Sequence, residues 1–219
     1  MPVNQIYQAP LNPERIYHIC NRTNNNELLF RSNENRRFFM QQFDHYLSYL
    51  LDPYSWSLLS NHFHFQVKMK SEEYAAERIL RLPDKDQTIS QKLFLAGKKP
   101  FHELASKAFS QFFISYSLSY HNQIRVNGNL FYKNFKRVEI ENDNQFRNTM
   151  TYIHTNPVKH GLIEDFTEYE WSSWHEFTKK KFSAINREEV YDIFGNKQAF
   201  LNAHQLHQDL ILKNKIFIL

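Results

Sequence analysis

Strands interspersed with helices predict an α+β sandwich for this chain, and three observations carry that expectation. Residues 62–67, His-Phe-His-Phe-Gln-Val, alternate polar and apolar with the period of two of a half-buried strand. Phe101, Leu104, Ala105, Ala108, Phe109, Phe112, Phe113 and Tyr116 recur at helical spacing. Asn142-Asp143-Asn144, ahead of apolar Phe146, Met150 and Ile153, has the form of a capped helix start. With 42% hydrophobic and 16% aromatic content in 219 residues, and 20 Phe and 12 Tyr against 4 Gly, the chain has ample material for a core.

Taken in order, residues 14–22 read as a strand, and Asn33 to Leu51 as an amphipathic helix carrying Phe39, Phe43, Tyr46, Leu47 and Leu50 at helical spacing. The run from Trp56 to Val67 contains the histidine strand. Glu72 to Leu82 suggests a short helix, followed by a loop at Pro83-Asp84-Lys85-Asp86. The apolar stripe from Phe101 predicts a long helix to about His121, with core packing as its first use and partner contact as its second. Asn127-Gly128 reads as a turn into a strand segment within Leu130–Ile140, where Val138 and Ile140 share a face. The last well-defined helix runs from about 143 to 155 or slightly beyond, with Pro157 and Gly161 as stop signals. No repeat or low-complexity segment interrupts the chain.

Lys and Arg outnumber Asp and Glu by 27 to 23, giving a net charge of +4, which is mild for a nucleic-acid binder. Clustering says more than the total. Lys92, Lys98, Lys99 and Lys107 fall in one stretch, Lys133, Lys136 and Arg137 in another, and Lys179-Lys180-Lys181 form a run. Each reads as a solvated face or as a phosphate contact, and Lys133, Lys136 and Arg137 gain weight from their position just ahead of the 143–155 helix. The single cysteine, Cys20, excludes an internal disulfide and a multi-cysteine zinc site, and reads as a small core hydrophobe of the first strand. No apolar stretch is long enough for a membrane span and no secretion signal opens the chain, so a cytoplasmic protein is expected.

In a strand, His62, His64 and Gln66 share one face while Phe63, Phe65 and Val67 share the other. Two imidazoles so placed suit one divalent cation, although His-x-His alone more often marks two ordinary surface histidines. On the 143–155 helix, Tyr152 and Asn156 lie four apart on one face with Thr149, while Phe146, Met150 and Ile153 take the buried side. A tyrosine hydroxyl, with an unperturbed pKa of roughly 10, is a poor nucleophile at neutral pH and needs a nearby cation. Tyr116 and Tyr120 are rivals at the same i, i+4 spacing with His121 adjacent, although Tyr116 continues the apolar stripe. His154 and His160 read as structural or phosphate-contacting, since His154 sits about 200° around the helix from Tyr152.

The pairing of His62-Phe63-His64 with Tyr152-Ile153-His154-Thr155-Asn156-Pro157-Val158 resembles the HUH single-tyrosine transposases, specifically the REP-associated tyrosine transposases related to single-strand insertion-sequence transposases. Four further stretches fit in order: Ile16–Arg22 with Leu29-Phe30-Arg31, Asn127–Phe131, Glu170–Ser173 and Ile193–Gly195, so that the resemblance spans residues 14 to 200. The chain departs from the pattern at Ser60, where the family commonly has proline before Asn-His, and at Thr23, where glycine usually follows the arginine. The resemblance implies a central antiparallel sheet packed with helices, of the HUH endonuclease, ferredoxin-like type, in a catalytic domain over residues 1–180 with a helical tail over 181–219 packing on it or extending from it. It implies Tyr152 as nucleophile and His62, His64 and Asn156 as ligands of Mg²⁺ or Mn²⁺. The implied activity is metal-dependent nicking and strand transfer on single-stranded or hairpin DNA through a 5′-phosphotyrosine link, with a homodimer as one assembly open to it. Two other classes stay open: a domesticated, non-catalytic DNA-binding protein, and an HUH nickase of the replication-initiator or relaxase type.

Overall fold

The computed structural model describes residues 8–24, 27–124, 128–132, 134–178 and 185–216. Along them run β1 (Ile16–Arg22), α1 (Asn33–Leu47), β2 (Leu51–Leu58), β3 (His62–Met69), α2 (Glu72–Leu80), α3 (Ile89–Leu95), α4 (Phe101–Ile124), β4 (Lys136–Ile140), α5 (Asp143–Lys159), α6 (Trp174–Thr178), α7 (Arg187–Phe194) and α8 (Lys197–Ile216). The strands form one sheet in the order β2-β3-β1-β4, with every neighbouring pair antiparallel. The helix α1 between β1 and β2, and the β2-β3 hairpin followed by helices and β4, make this the ferredoxin-like β-α-β-β-α-β arrangement.

Alternation along the strands builds two cores, one on each face of the sheet. On one face Tyr17, Ile19, Phe63, Phe65 and Val67 meet α1 and α4. Phe39 of α1 sits at the centre of that layer, its ring centroid 5.1 Å from Phe63, 4.8 Å from Phe112 and 5.0 Å from Tyr116. On the other face Phe146 and Met150 of α5 join Phe166, Trp174, Phe177, Val190, Phe194 and Phe200. Both faces of β3 are therefore covered: His64 and Gln66 are buried along with the phenylalanines, and the strand is not half-buried as its alternation suggests. Gln66 is held by the Ser55 hydroxyl, which donates to it at 3.2 Å, and its own amide donates to the Phe146 carbonyl of α5 at 3.3 Å.

The element boundaries differ from the sequence expectation where tertiary context overrides propensity. The run 56–67 is two strands turned at residues 59–61, and β2 starts at Leu51, so α1 ends at Leu47. The outer edge of β2 is covered by residues 171–173: Leu58 N–H donates to Trp171 O at 2.9 Å and Ser173 N–H to Trp56 O at 2.9 Å. The unexpected α3 opens on a capping box between Thr88 and Gln91. Pro157 does not stop α5, which continues to Lys159 and ends where Gly161 takes a φ of 67°. Asn127 and the Lys179–Lys181 run lie outside the described residues.

The far side of α5 is joined to α8 by a buried polar chain. His204 Nδ1 faces the Phe200 carbonyl at 2.7 Å, so this nitrogen carries the proton and donates. His204 Nε2 must then accept from His154 Nδ1, 2.9 Å away, and His154 Nε2 accepts from the Ser173 hydroxyl at 2.8 Å. Every proton in the chain is assigned with both rings neutral. Burial pushes His204 down to about 3, and His154, buried beside His204 and His175, well below the ordinary histidine value. Below a pH near the ordinary 6.5 the unfolded chain binds protons that the fold refuses, so stability falls as pH drops from there through the folded values. Chemical denaturation at pH 7.5, 6 and 5 is expected to show a loss steepening toward about 1.4 kcal/mol per pH unit for each imidazole, and His204→Phe is expected to lessen the slope by one imidazole's share.

Candidate active site

The β1–β3 register sets Cys20 opposite His64, His18 opposite Gln66 and Arg22 opposite His62. Because side chains alternate, His18, Cys20 and Arg22 share the α5 face of the sheet with His62 and His64. Helix α5 crosses that face, and the Tyr152 ring lies 5.4 Å from the His64 ring and 6.2 Å from that of His18. Asn156, one turn further along α5, is fully buried. Its carboxamide faces both His62 and Tyr152, easing His62 toward protonation and Tyr152 toward ionisation, yet neither amide atom reaches hydrogen-bonding geometry with any group of the described residues.

The two histidines of β3 are held in parallel ways. His62 Nδ1 lies 2.7 Å from Asn61 Oδ1, and His64 Nδ1 lies 2.9 Å from His18 Nε2. His64 Nε2 is buried without a hydrogen-bond partner among the described residues. A buried unpaired ring nitrogen and a buried unpaired carboxamide around the His62 ring are atoms that call for a ligand, and a mixed nitrogen and oxygen donor set suits Mg²⁺ or Mn²⁺. A second grouping overlaps it: single ligand atoms of His18, Cys20 and His64 all lie within 4.8 Å of one another, so a His-Cys-His set can hold a metal as well.

Burial sets the charge states. His18 and His62 are each pushed down to about 4, the latter also by His160 and Arg22, and His64 lies well below its ordinary value. All three imidazoles are neutral at neutral pH, the form that ligates. Burial pushes the Cys20 thiol up to about 11 and raises the Tyr152 hydroxyl above its usual range. A cation stands beside that hydroxyl-bearing ring: Lys159 Nζ is 5.1 Å from its centroid.

Of the residues singled out in the sequence, His62, His64, Tyr152 and Asn156 come together. Lys133 lies outside the described residues, and Lys136 stands on the α5 face in register with Cys20. Arg137 points the other way, its Nη1 donating to the Ser106 hydroxyl at 3.4 Å and its guanidinium 5.0 Å from the Phe135 ring centroid. Lys92 and Lys99 pair with Asp84 and Glu103 at 2.9 and 3.1 Å, as a solvated face does. Tyr116 donates to the Leu29 carbonyl at 2.7 Å and Tyr120 to that of Leu28, so both rival hydroxyls are engaged in loop anchoring. His154 faces α8, while the His160 ring lies 4.8 Å from that of His62. Sequence reasoning missed His18, Arg22 and Lys159. The i, i+2 spacing of His18 and Cys20 was the available signal for the first, and only the register with β3 brings it to the site.

Fold and side chains together define a ferredoxin-like α+β domain with a histidine-rich site, its ligand atoms close enough to hold a metal, under a tyrosine-bearing helix. Among solved structures the chain is similar to a REP-associated tyrosine transposase bound to a REP hairpin, with a TM-score of 0.51 and 17% identity over 83% of this chain and 96% of that one. At that identity the likeness is one of fold. No protein-family model and no curated protein matches the chain. No helix among the described residues is long and apolar enough to cross a membrane.

Proposed function

We propose that the protein is a metal-dependent single-stranded-DNA endonuclease and strand transferase of the HUH single-tyrosine kind. The observation that carries this reading is the convergence of Tyr152 with two neutral histidines and a fully buried, unpaired Asn156, on a fold similar to that of a REP-associated tyrosine transposase. His62, His64 and Asn156 would hold the divalent ion, Mg²⁺ or Mn²⁺, which when bound withdraws charge from a scissile phosphate. The Tyr152 hydroxyl loses its proton and bonds to phosphorus as the bond to the 3′ oxygen breaks, giving a 5′-phosphotyrosine and a free 3′-hydroxyl. Attack by another 3′-hydroxyl reverses the step, restores the phosphodiester and frees the tyrosine. Lys159 favours the phenolate by its charge, and α5, buried on both flanks, keeps the attacking oxygen in place. Arg22, Lys136 and Lys159 lie on this face as phosphate contacts for the strand, while Arg137 serves the opposite face. Within one chain, Tyr152 and the proposed ligands come together on the same face of the sheet.

The test is a denaturation-resistant protein–DNA adduct. Full-length protein incubated with single-stranded, hairpin-flanked or perfect duplex DNA in Mg²⁺ or Mn²⁺ is expected to form the adduct with the first two, to form none in EDTA, and to lose affinity steeply with added salt. No adduct with any DNA in either metal, or a clear preference for duplex, would leave a duplex-binding regulator as the better reading.

A further inference from the structure

A neutral imidazole carries one N–H, and the contact between His18 Nε2 and His64 Nδ1, 2.9 Å long, holds one proton between two nitrogens. Two assignments exist. If His18 donates, His64 is left with its proton on Nε2, a nitrogen that then has neither a lone pair for a cation nor an acceptor within its buried surroundings. If His64 donates from Nδ1, its Nε2 presents a lone pair, and His18 must carry its own proton on Nδ1. We propose that His18 is the positioning residue of this site: it accepts the Nδ1–H of His64 and so commits His64 Nε2 to the cation. This rests on the metal role proposed for His64.

The surroundings favour that assignment. His18 lies in β1, between β3 and β4, paired with Gln66 on one side and Val138 on the other, so its backbone cannot retreat. Its ring stacks on that of His64 with centroids 5.1 Å apart and planes 24° from parallel, which fixes the orientation of both rings. His62 is treated alike from a different source, its Nδ1 facing Asn61 Oδ1, an oxygen that can only accept. Two neighbours outside the His-x-His pair thus impose one tautomer on both members, the service that second-layer carboxylates and carbonyls give to metal-binding histidines elsewhere. The competing arrangement, in which His18, Cys20 and His64 gather a thiophilic ion among themselves, does not draw on Asn156 and leaves its buried carboxamide without a partner among the described residues.

The experiment reads tautomers and metal affinity rather than cleavage. In long-range ¹H–¹⁵N spectra of the metal-free full-length protein, His64 and His18 are both expected as Nδ1–H forms. His18→Phe keeps a ring in place and removes the acceptor; it is expected to leave His64 in a mixture of tautomers and to weaken Mn²⁺ binding, followed by electron paramagnetic resonance, by about 10- to 100-fold. His18→Gln, which restores an acceptor oxygen, is expected to recover most of that loss. An Nε2–H signal for His64 in the wild-type protein, or a folded His18→Phe variant binding Mn²⁺ as tightly as wild type, overturns the proposal. So does a Co²⁺ thiolate charge-transfer band that disappears in Cys20→Ser. Wild-type protein that binds no Mn²⁺ overturns the metal role instead, and the metal-free spectrum still decides the part of His18.

Discussion

Tyr152→Phe is expected to abolish covalent adduct and strand cleavage, lowering turnover by at least about a thousandfold, while DNA binding and the melting temperature stay near wild type. The substitution removes one oxygen from a partly exposed ring and keeps the edge-on contacts with His18 and His64. Nothing that packs the helix is lost. Tyr116→Phe serves as the counterpart, because that hydroxyl is buried and donates to the Leu29 carbonyl. Its removal is expected to cost about 1–2 kcal/mol of stability, by leaving a buried carbonyl unpaired, with cleavage unchanged. Gel assays for the adduct and thermal melts of both variants check this; an adduct surviving in Tyr152→Phe would reject the nucleophile assignment.

His62→Ala is expected to be as severe for cleavage and nearly silent for folding, since His62 is partly exposed and packs against the rim residue His160. His64→Ala is expected to be equally inactive but less clean. His64 is only 6% exposed, and truncating it leaves a cavity under α5 and strips His18 Nε2 of its partner. A stability loss of about 1–3 kcal/mol accompanies the loss of chemistry there. Asn156→Ala is expected to be milder than either, because water can stand in for one oxygen ligand. Cleavage rates across a Mn²⁺ titration, read beside denaturation midpoints, separate the two effects, and wild-type rates in both histidine variants would remove the metal assignment.

Much of this was legible in the sequence, and for identifiable reasons. The aromatic stripe of α4 and the alternation of β3 are strong periodic signals, and the capped start of α5 is local chemistry. β2 was hidden because Pro53 and a bulge between Pro53 and Ser55 break its alternation. The basic trio was grouped by nearness in sequence, whereas the pleat of β4 sends Lys136 and Arg137 to opposite faces. In the sequence Cys20 reads as a small core hydrophobe and His18 as one residue of a strand, because their value comes from the strand set beside them. Register is a tertiary fact, and no window of β1 contains it.

Helix α5 has a second meaning for how this protein can change. Nearly every residue from Met150 to Val158 is inside, with Asn156 turned to the sheet and His154 and Thr155 turned to α8. The stretch bearing Tyr152 is therefore also the partition wall between the site and the C-terminal helices. A variant that retunes chemistry by altering this helix must at once satisfy the neighbours on its other side, so most such changes are eliminated as folding failures before their catalytic merit can be tried. Variation is less constrained in the strands beside the wall, where the side chains of Arg22 and Lys136 stand on the α5 face without belonging to α5.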